Sequence, residues 1–182
     1  DGFKALNALT ITVNVGELRC IIGPNGAGKT TMMDCITGKT KPDSGKAFFG
    51  STIDLLRLSE PEIAQIGIGR KFQKPTVFEQ LTVEENLIAG GHSVVDLRGV
   101  REGIDLVYTY FPRLKERRHV AADYLSGGEQ QMAAVARALS GNVRLLLLDE
   151  PFEGLAPTVV QELFTVFDRL RGQVSIIIVE HN

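Results

Sequence analysis

The segment IIGPNGAGKTTMMDCITGK, residues 21–39, joins an apolar strand pattern to a helical pattern through a turn that contains three glycines. Glycine at a strand–helix junction carries an entropic cost, so its repeated use indicates that something approaches the backbone closely. Residues 23–30, GPNGAGKT, match the phosphate-loop pattern G-x-x-x-x-G-K-[ST] in the required strand–turn–helix context. We therefore predict a loop that binds a triphosphate, rather than a turn that is merely rich in glycine.

The predicted loop would hold phosphate oxygens through its backbone N–H groups and through the positive end of the helix dipole. The Lys29 side chain is expected to reach the β- and γ-phosphates, and the Thr30 hydroxyl is expected to ligate Mg²⁺. The predicted nucleotide contacts are Gly23, Pro24, Asn25, Gly26, Ala27, Gly28, Lys29, Thr30 and Thr31.

The composition fits one globular domain, since the chain has 182 residues, of which 43% are hydrophobic and 23% are charged. A net charge of -2 gives no overall attraction to nucleic acid or to an anionic membrane, so the charge does not imply a polyanionic partner, and no nucleic-acid partner is expected. No apolar run approaches the roughly 18 residues that cross a bilayer, so we expect a membrane role only through a partner. Cys20 and Cys35 are predicted to be buried reduced thiols of a cytosolic protein.

We predict an α/β phosphate-loop fold over residues 1–182, a single domain truncated at both ends, with a mostly parallel sheet and an antiparallel N-terminal portion. The alternation in ALTITVNV, residues 8–15, predicts a half-buried antiparallel strand, and residues 46–55 predict a short strand pair. The apolar runs at 145–148 and 176–179 are typical of parallel strands buried on both faces. Residues from about 82 to 121 carry helical spacing and predict a helical insertion.

Charged or polar side chains follow three of the predicted strands. Because ligands gather at the carboxyl ends of parallel strands, Asp149 is expected to face a metal ion, and Glu150 to reach an attacking water as general base. The alternative is that both carboxylates simply cap the end of a strand. His181 is expected to bond the γ-phosphate or orient the water, and Gln73 to touch both metal and water. The predicted catalytic residues are therefore Glu150, His181 and Gln73, and the predicted metal ligands are Thr30, Gln73 and Asp149.

The sequence LSGGEQQ, residues 125–131, opens a second helix whose N-terminus suits an anion. The chain's own phosphate loop already holds one end of its triphosphate, so a second anion-binding helix start is explained if it faces the nucleotide of another subunit. This predicts a head-to-tail dimer with two nucleotides between the subunits; the alternative is an ordinary, well-capped helix. The predicted contacts across the dimer are Ser126, Gly127, Gly128, Glu129 and Gln130.

The ordered set formed by the phosphate loop, Gln73, LSGGEQ, LLLLDEP and His181 resembles that of ATP-binding-cassette (ABC) transporter ATPases. The resemblance implies ATP and Mg²⁺ as cofactors, and ATP hydrolysis coupled to transport across a membrane. It also implies transmembrane permease subunits coupled through Gln73, an indirect partnership with a periplasmic solute-binding protein, and a peripheral position on the cytoplasmic face of the inner or plasma membrane.

Two subfamilies share the resemblance. Residues 5–50 and 67–87 are similar to the urea-transporter ATP-binding subunit, whereas LSGGEQQMAAVARAL and EPFEGLAP resemble the branched-chain amino acid subunits. Uptake of urea, a branched-chain amino acid or an amide is therefore expected, with a related subunit as dimer partner. Two positions depart from the family: the aromatic that stacks on adenine would precede Asp1, with Phe3 out of register, and Ala156 stands where many relatives have aspartate.

Two other functions are open. One is a soluble ABC ATPase of the DNA-repair or translation type, which is disfavoured because the chain has one cassette and no long coiled-coil pattern. The other is a nucleotide-binding fragment without turnover.

Overall fold

The computed structural model describes residues 4–74, 76–91 and 97–181. The described residues contain six strands and seven helices, with short 3₁₀ turns at Leu55–Arg57 and Ala122–Tyr124. In chain order they are β1 (Leu18–Ile22), α1 (Lys29–Ile36), β2 (Phe48–Phe49), β3 (Ile53–Asp54), α2 (Glu60–Gln65), β4 (Ile68–Lys71), α3 (Val83–Gly90), α4 (Leu97–Tyr110), α5 (Pro112–Glu116), α6 (Gly127–Leu139), β5 (Leu145–Asp149), α7 (Pro157–Leu170) and β6 (Ser175–Glu180).

The strands form two sheets. The larger has the order β1-β6-β5-β4 with every neighbouring pair parallel, and β2 and β3 form a separate antiparallel pair. Because the strands of the larger sheet run the same way, their carboxyl ends lie at one edge. The predicted α/β class, with a mainly parallel sheet and an antiparallel portion, is confirmed, as is the strand pair predicted within residues 46–55.

The antiparallel strand predicted at residues 8–15 is wrong, since this segment has no regular secondary structure. The alternation that suggested it reflects burial only in part, because Ile11 and Val13 are partly buried whereas Leu9 and Val15 are exposed. A strand also needs a hydrogen-bonded neighbour, and β2 and β3 pair with each other over only two residues. Alternation over these residues therefore does not establish that the backbone forms hydrogen bonds with a neighbouring strand.

The larger sheet separates two hydrophobic cores. Leu146 and Leu148 of β5 pack in one core with residues of α6 and α7, whereas Leu145 and Leu147 pack in the other with residues of α1 and α2. Successive side chains of a strand point to opposite faces, so α1 and α6 lie on opposite sides of the sheet. The predicted apolar face of α6 is confirmed, since all four of its predicted members are buried: Met132, Val135, Ala136 and Leu139.

The helices α3, α4 and α5 extend the core that contains α6, through side chains such as Leu87, Val107 and Leu114. Thr82 and Ala121 form an isolated antiparallel bridge, so the two ends of the segment predicted as an insertion lie side by side. The helices predicted there are present, and the division into an inserted subdomain stays a prediction.

Both cysteines are free thiols, but only one is buried. Cys35 lies in α1 and is buried as predicted, whereas the prediction that Cys20 is buried is wrong. Cys20 belongs to β1, which lies at an edge of the sheet in the described residues. No helix within the described ranges is long and apolar enough to cross a membrane.

The Tyr108 hydroxyl is buried without a hydrogen-bond partner in the described part of the chain, and burial raises the pKa of Tyr108 to about 12. Because a desolvated hydroxyl without a partner is unfavourable, Tyr108→Phe should leave the free energy of unfolding unchanged or raise it by up to about 1 kcal/mol. Urea denaturation measures this change. Tyr110→Phe, which removes a hydroxyl at an exposed position, is the control and should have little effect. A loss of more than about 1 kcal/mol for Tyr108→Phe would show that its hydroxyl has a stabilising partner.

Candidate functional site

The loop from Gly23 to Gly28 connects β1 to α1 at the carboxyl edge of the sheet. Gly26 and Gly28 have φ angles of 79° and 86°, in the left-handed region that favours glycine. At Gly28 a Cβ atom would also lie 2.2 Å from the carbonyl oxygen of Ala5, so the position excludes any side chain. The Gly23 N–H donates to the Glu180 carbonyl at 3.3 Å, which ties the loop to the end of β6.

The N-terminus of α1 differs from those of α3 and α6. The side chains of Thr82 and Ser126 cap the latter two helices, whereas α1 follows Gly28 and has no side-chain cap. The first N–H groups of an α-helix have no partner within the helix, so an uncapped start leaves them available to an anion. The local geometry of α1 therefore suits a phosphate group.

Lys29 is the first residue of α1, and its side chain folds back over the loop. Its ammonium group donates to the carbonyl oxygens of Gly23 at 2.5 Å and Pro24 at 2.9 Å. Thr30 and Asn25 are exposed beside it. The loop therefore combines a buried cation, uncapped helix N–H groups and accessible polar side chains, which together match the chemistry of a phosphate chain.

Asp149 and Glu150 lie at the end of β5 and are 4% and 6% exposed. Glu150 has a φ angle of 46°, a left-handed conformation that is uncommon for residues other than glycine and is often found at functional sites. The Gln73 amide donates to Glu150 Oε2 at 2.8 Å and, at 3.4 Å, to Glu153 Oε2. The structure thus brings Gln73 and Glu150 into contact, although they are 77 residues apart in the chain.

Arg70 is a site residue that the sequence analysis missed. Its guanidinium donates to Asp34 Oδ1 of α1 at 2.6 Å and to Asp149 Oδ2 at 3.4 Å, and it lies 4.5 Å from the centre of the Phe72 ring. Its side chain is only 5% exposed. Arg70 therefore connects the helix that follows the phosphate loop to the carboxylate predicted to face the metal ion. The sequence does contain a sign of this role, because Arg70 and Lys71 are consecutive cations within a strand.

Lys71, the second of these cations, is fully buried on β4. Its ammonium donates to the carbonyl oxygen of Gln73 at 3.0 Å and to that of Asp149 at 3.2 Å. Burial lowers the pKa of Lys71 to about 8, and the nearby carboxylates, chiefly Asp149 and Glu180, oppose this change.

His181 follows the last residue of β6 and is exposed. The register pairs Ile22 with Glu180 and Asp149 with Val179, so the residues that follow β1, β5 and β6 emerge at neighbouring points of one edge. His181 therefore leaves the sheet beside the phosphate loop.

Hydroxyl, amide and carboxylate oxygens are ligands that suit Mg²⁺, so the predicted set of Thr30, Gln73 and Asp149 fits this ion chemically. The Gln73 amide nitrogen bonds Glu150, so its Oε1 atom is the one that would ligate a metal. In the described ranges, no group of three or more histidine, cysteine, aspartate or glutamate side chains could hold a metal by itself.

The segment at the start of α6 contains exposed residues together with side chains that form hydrogen bonds within the chain. Ser126 caps the helix, and the Glu129 carboxylate accepts hydrogen bonds from the Ser126 N–H and hydroxyl, both at 2.9 Å. The Gln130 amide donates to the carbonyl oxygen of Ala122 at 2.9 Å. Ser126 and Gly127 are exposed. The helix α6 that this segment begins and the helix α1 that follows the phosphate loop lie on opposite faces of the sheet.

Of the two positions at which the sequence departs from the family pattern, one lies among the described residues. Phe3, predicted to be out of register for stacking on adenine, lies outside the described residues. Ala156 is the exposed residue before α7 and provides no side-chain cap for that helix.

A cavity of about 510 Å³ lies beyond the C-terminal end of α1, away from the phosphate loop, and is lined by Gly38, Lys41, Arg57, Leu58, Ser59, Glu60, Pro61 and Glu62.

The chain is similar in sequence to ABC transporter proteins. A sequence profile described as ABC transporter matches residues 6–153. The high-affinity branched-chain amino acid transport ATP-binding protein BraG of Pseudomonas aeruginosa is 40% identical over 180 residues, which are 98% of this chain and 76% of BraG.

Two solved structures are similar in fold. The ADP conformation of MJ1267, an ATP-binding cassette of an ABC transporter, superposes with a TM-score of 0.86 at 31% identity, covering 99% of this chain and 76% of MJ1267. A dimeric post-hydrolysis state of the cassette MJ0796, bound to ADP and Pi, superposes with a TM-score of 0.81 at 26% identity, covering 98% of this chain and 80% of MJ0796. The predicted resemblance is confirmed: the chain belongs to the ABC transporter family, and it is an ATP-binding and ATP-hydrolysing cassette of that family.

Proposed function

We propose that this cassette powers the uptake of a branched-chain amino acid, with Glu150 as the general base of ATP hydrolysis. The contact between Gln73 and Glu150, 2.8 Å at the carboxyl edge of the sheet, carries the catalytic part of the proposal. Similarity to BraG supports the choice of solute. Urea is the second candidate solute, because residues 5–50 and 67–87 resemble the urea-transporter subunit.

Binding of the triphosphate begins at the phosphate loop. The uncapped N–H groups of α1 receive the phosphate oxygens, and the Lys29 ammonium exchanges its contacts with the Gly23 and Pro24 carbonyls for the β- and γ-phosphates. Thr30, Gln73 and Asp149 would hold Mg²⁺, which neutralises charge on the phosphate oxygens when bound. Arg70 keeps the Asp149 carboxylate at the edge of the sheet through its contact at 3.4 Å.

Hydrolysis needs one proton to leave the attacking water. Glu150 accepts this proton while the water oxygen bonds to the γ-phosphorus and the bond to the bridging oxygen of ADP breaks. Gln73, which donates to Glu150, orients the water, and His181 contacts the γ-phosphate from the end of β6.

A second subunit completes the site in this proposal. Ser126, Gly127 and Gly128 lie at an exposed helix start on the face of the sheet opposite α1, so they suit the triphosphate bound by another cassette. Glu129 and Gln130 support that helix start through their own hydrogen bonds. We propose a head-to-tail dimer with a related cassette, held at the cytoplasmic face of the inner or plasma membrane by permease subunits. A periplasmic solute-binding protein would deliver the solute.

The assignment of Glu150 as the general base can be tested by substitution. Glu150→Gln removes the proton acceptor but keeps the shape of the side chain, so ATP binding should persist while kcat falls about 10²- to 10⁴-fold. ATP hydrolysis and uptake of labelled isoleucine or urea would be measured with the complete transporter, and uptake of the true solute should fall in parallel.

The matched control for that experiment is Glu153→Gln. Glu153 is exposed and lies 3.4 Å from the same Gln73 amide nitrogen, so it shares the surroundings of Glu150 without a proposed role in proton transfer. This variant should keep most of the normal rate. Normal hydrolysis by Glu150→Gln would contradict the assignment of the base.

The proposed contact of Ser126 with the partner's triphosphate can be tested by a change of charge. Aspartate caps a helix as well as serine does, so Ser126→Asp should preserve α6 while placing a negative charge where the partner's triphosphate would bind. In the Glu150→Gln background with Mg-ATP, it should weaken dimerisation at least about tenfold, because like charges then face each other. Sedimentation velocity of each variant mixed with the related partner cassette measures the fraction of dimer.

Thr82→Asp provides the control, because Thr82 caps α3 through the same type of capping box. It makes the same change of charge at a helix start that has no proposed role in the dimer, so dimerisation should remain normal. Equal dimerisation of the Ser126→Asp and Thr82→Asp proteins would exclude the proposed contact across the dimer.

A further inference from the structure

Lys71 bonds two backbone carbonyl groups that belong to different parts of the site. Its ammonium lies 3.0 Å from the Gln73 oxygen and 3.2 Å from the Asp149 oxygen, and its side chain has no exposed surface. Within the described ranges, no carboxylate lies within 4.0 Å of this ammonium in an ion pair, although Asp149, Glu180, Glu153 and Glu150 surround it more distantly. Its direct partners are therefore backbone atoms.

The two carbonyl groups control where the catalytic side chains lie. The Asp149 carbonyl belongs to the peptide that joins Asp149 to Glu150, and the orientation of this peptide is coupled to the left-handed φ angle of 46° at Glu150. A hydrogen bond to that oxygen opposes relaxation to a commoner backbone conformation. The Gln73 carbonyl lies on the residue whose amide donates to Glu150. One ammonium therefore restrains the backbone on both sides of the Gln73–Glu150 contact.

The neighbouring cation has a separate task. Arg70 and Lys71 are consecutive on β4, so their side chains leave the strand on opposite faces. Arg70 bonds the carboxylates of Asp34 and Asp149, whereas Lys71 bonds carbonyl oxygens. An aliphatic side chain would fill the Lys71 position without the cost of burying a charge, so filling the core does not account for a lysine there.

Building on the proposed roles of Gln73 and Glu150, we infer that Lys71 is a positioning residue that holds Glu150 in the geometry needed for hydrolysis, through the Asp149 carbonyl and the backbone of its partner Gln73. It contacts neither the nucleotide nor the water. Because misplacement of a catalytic group slows the chemical step more than it weakens substrate binding, loss of Lys71 reduces kcat and leaves nucleotide affinity nearly unchanged.

The test uses the full-length protein with Lys71→Met, which keeps the length of the side chain and removes its donors. The kcat for ATP hydrolysis should fall about 10- to 100-fold, while affinity for a fluorescent ATP analogue should change less than about twofold. Lys46→Met, at an exposed lysine before β2, is the matched control and should leave both quantities unchanged. If Lys71→Met does not fold, Lys71→Gln replaces it, since its shorter amide cannot reach both carbonyl oxygens, and the same result is expected.

The Glu150→Gln background separates positioning from a general effect on the fold. If Lys71 acts through Glu150, Lys71→Met should reduce the single-turnover rate of Glu150→Gln by less than about threefold, because the group it positions no longer accepts a proton. An equal loss in both backgrounds, or a loss of nucleotide affinity that matches the loss of kcat, would overturn the inference. If Lys71→Met has a normal kcat and Glu150→Gln is impaired, the inference about Lys71 is overturned. The proposed function is then left intact. A normal rate for Glu150→Gln would instead overturn the proposed base and, with it, the role of Lys71.

Discussion

The parallel pairing of β1, β6 and β5 is the constraint on which the rest of the site depends. Its register places Ile22 opposite Glu180 and Asp149 opposite Val179, so the three strands end at nearly the same level. The phosphate loop follows β1, Glu150 follows β5 and His181 follows β6. A shift of register by one residue would turn every side chain of a strand to the other face, so the hydrophobic packing of β5 and β6 also fixes the position of the site.

Buried cations then organise the carboxyl edge. Arg70 links Asp34 of α1 to the Asp149 carboxylate, and Lys71 links the Gln73 backbone to the Asp149 backbone. Each cation is buried, and loss of its hydrogen-bond partners would leave an uncompensated charge in a medium of low polarity. The site is therefore held by hydrogen bonds between strand β4 and its neighbours, as well as by the phosphate loop itself. These contacts account for the two adjacent cations on β4.

The sequence was sufficient for features that depend on local pattern. The strand–turn–helix geometry of residues 18–36, the parallel strands and the apolar face of α6 follow from spacing and hydrophobicity, and the structure confirms them. It was insufficient for features that depend on which segments become neighbours. The strand at residues 8–15 was wrong because no ladder forms there, and Cys20 is exposed because β1 lies at an edge of the described sheet. The contacts of Arg70 and Lys71 were missed because their partners lie on separate elements.

The central claim is that these strand ends converge on one metal-bound triphosphate, and a crystal structure of Glu150→Gln with Mg-ATP tests it most directly. The account predicts that the Lys29 ammonium leaves the carbonyl oxygens of Gly23 and Pro24 and contacts the β- and γ-phosphates, with Asp149 and His181 bordering the same phosphate group. A structure in which Lys29 keeps both carbonyl contacts, while the phosphates bind elsewhere, would contradict it.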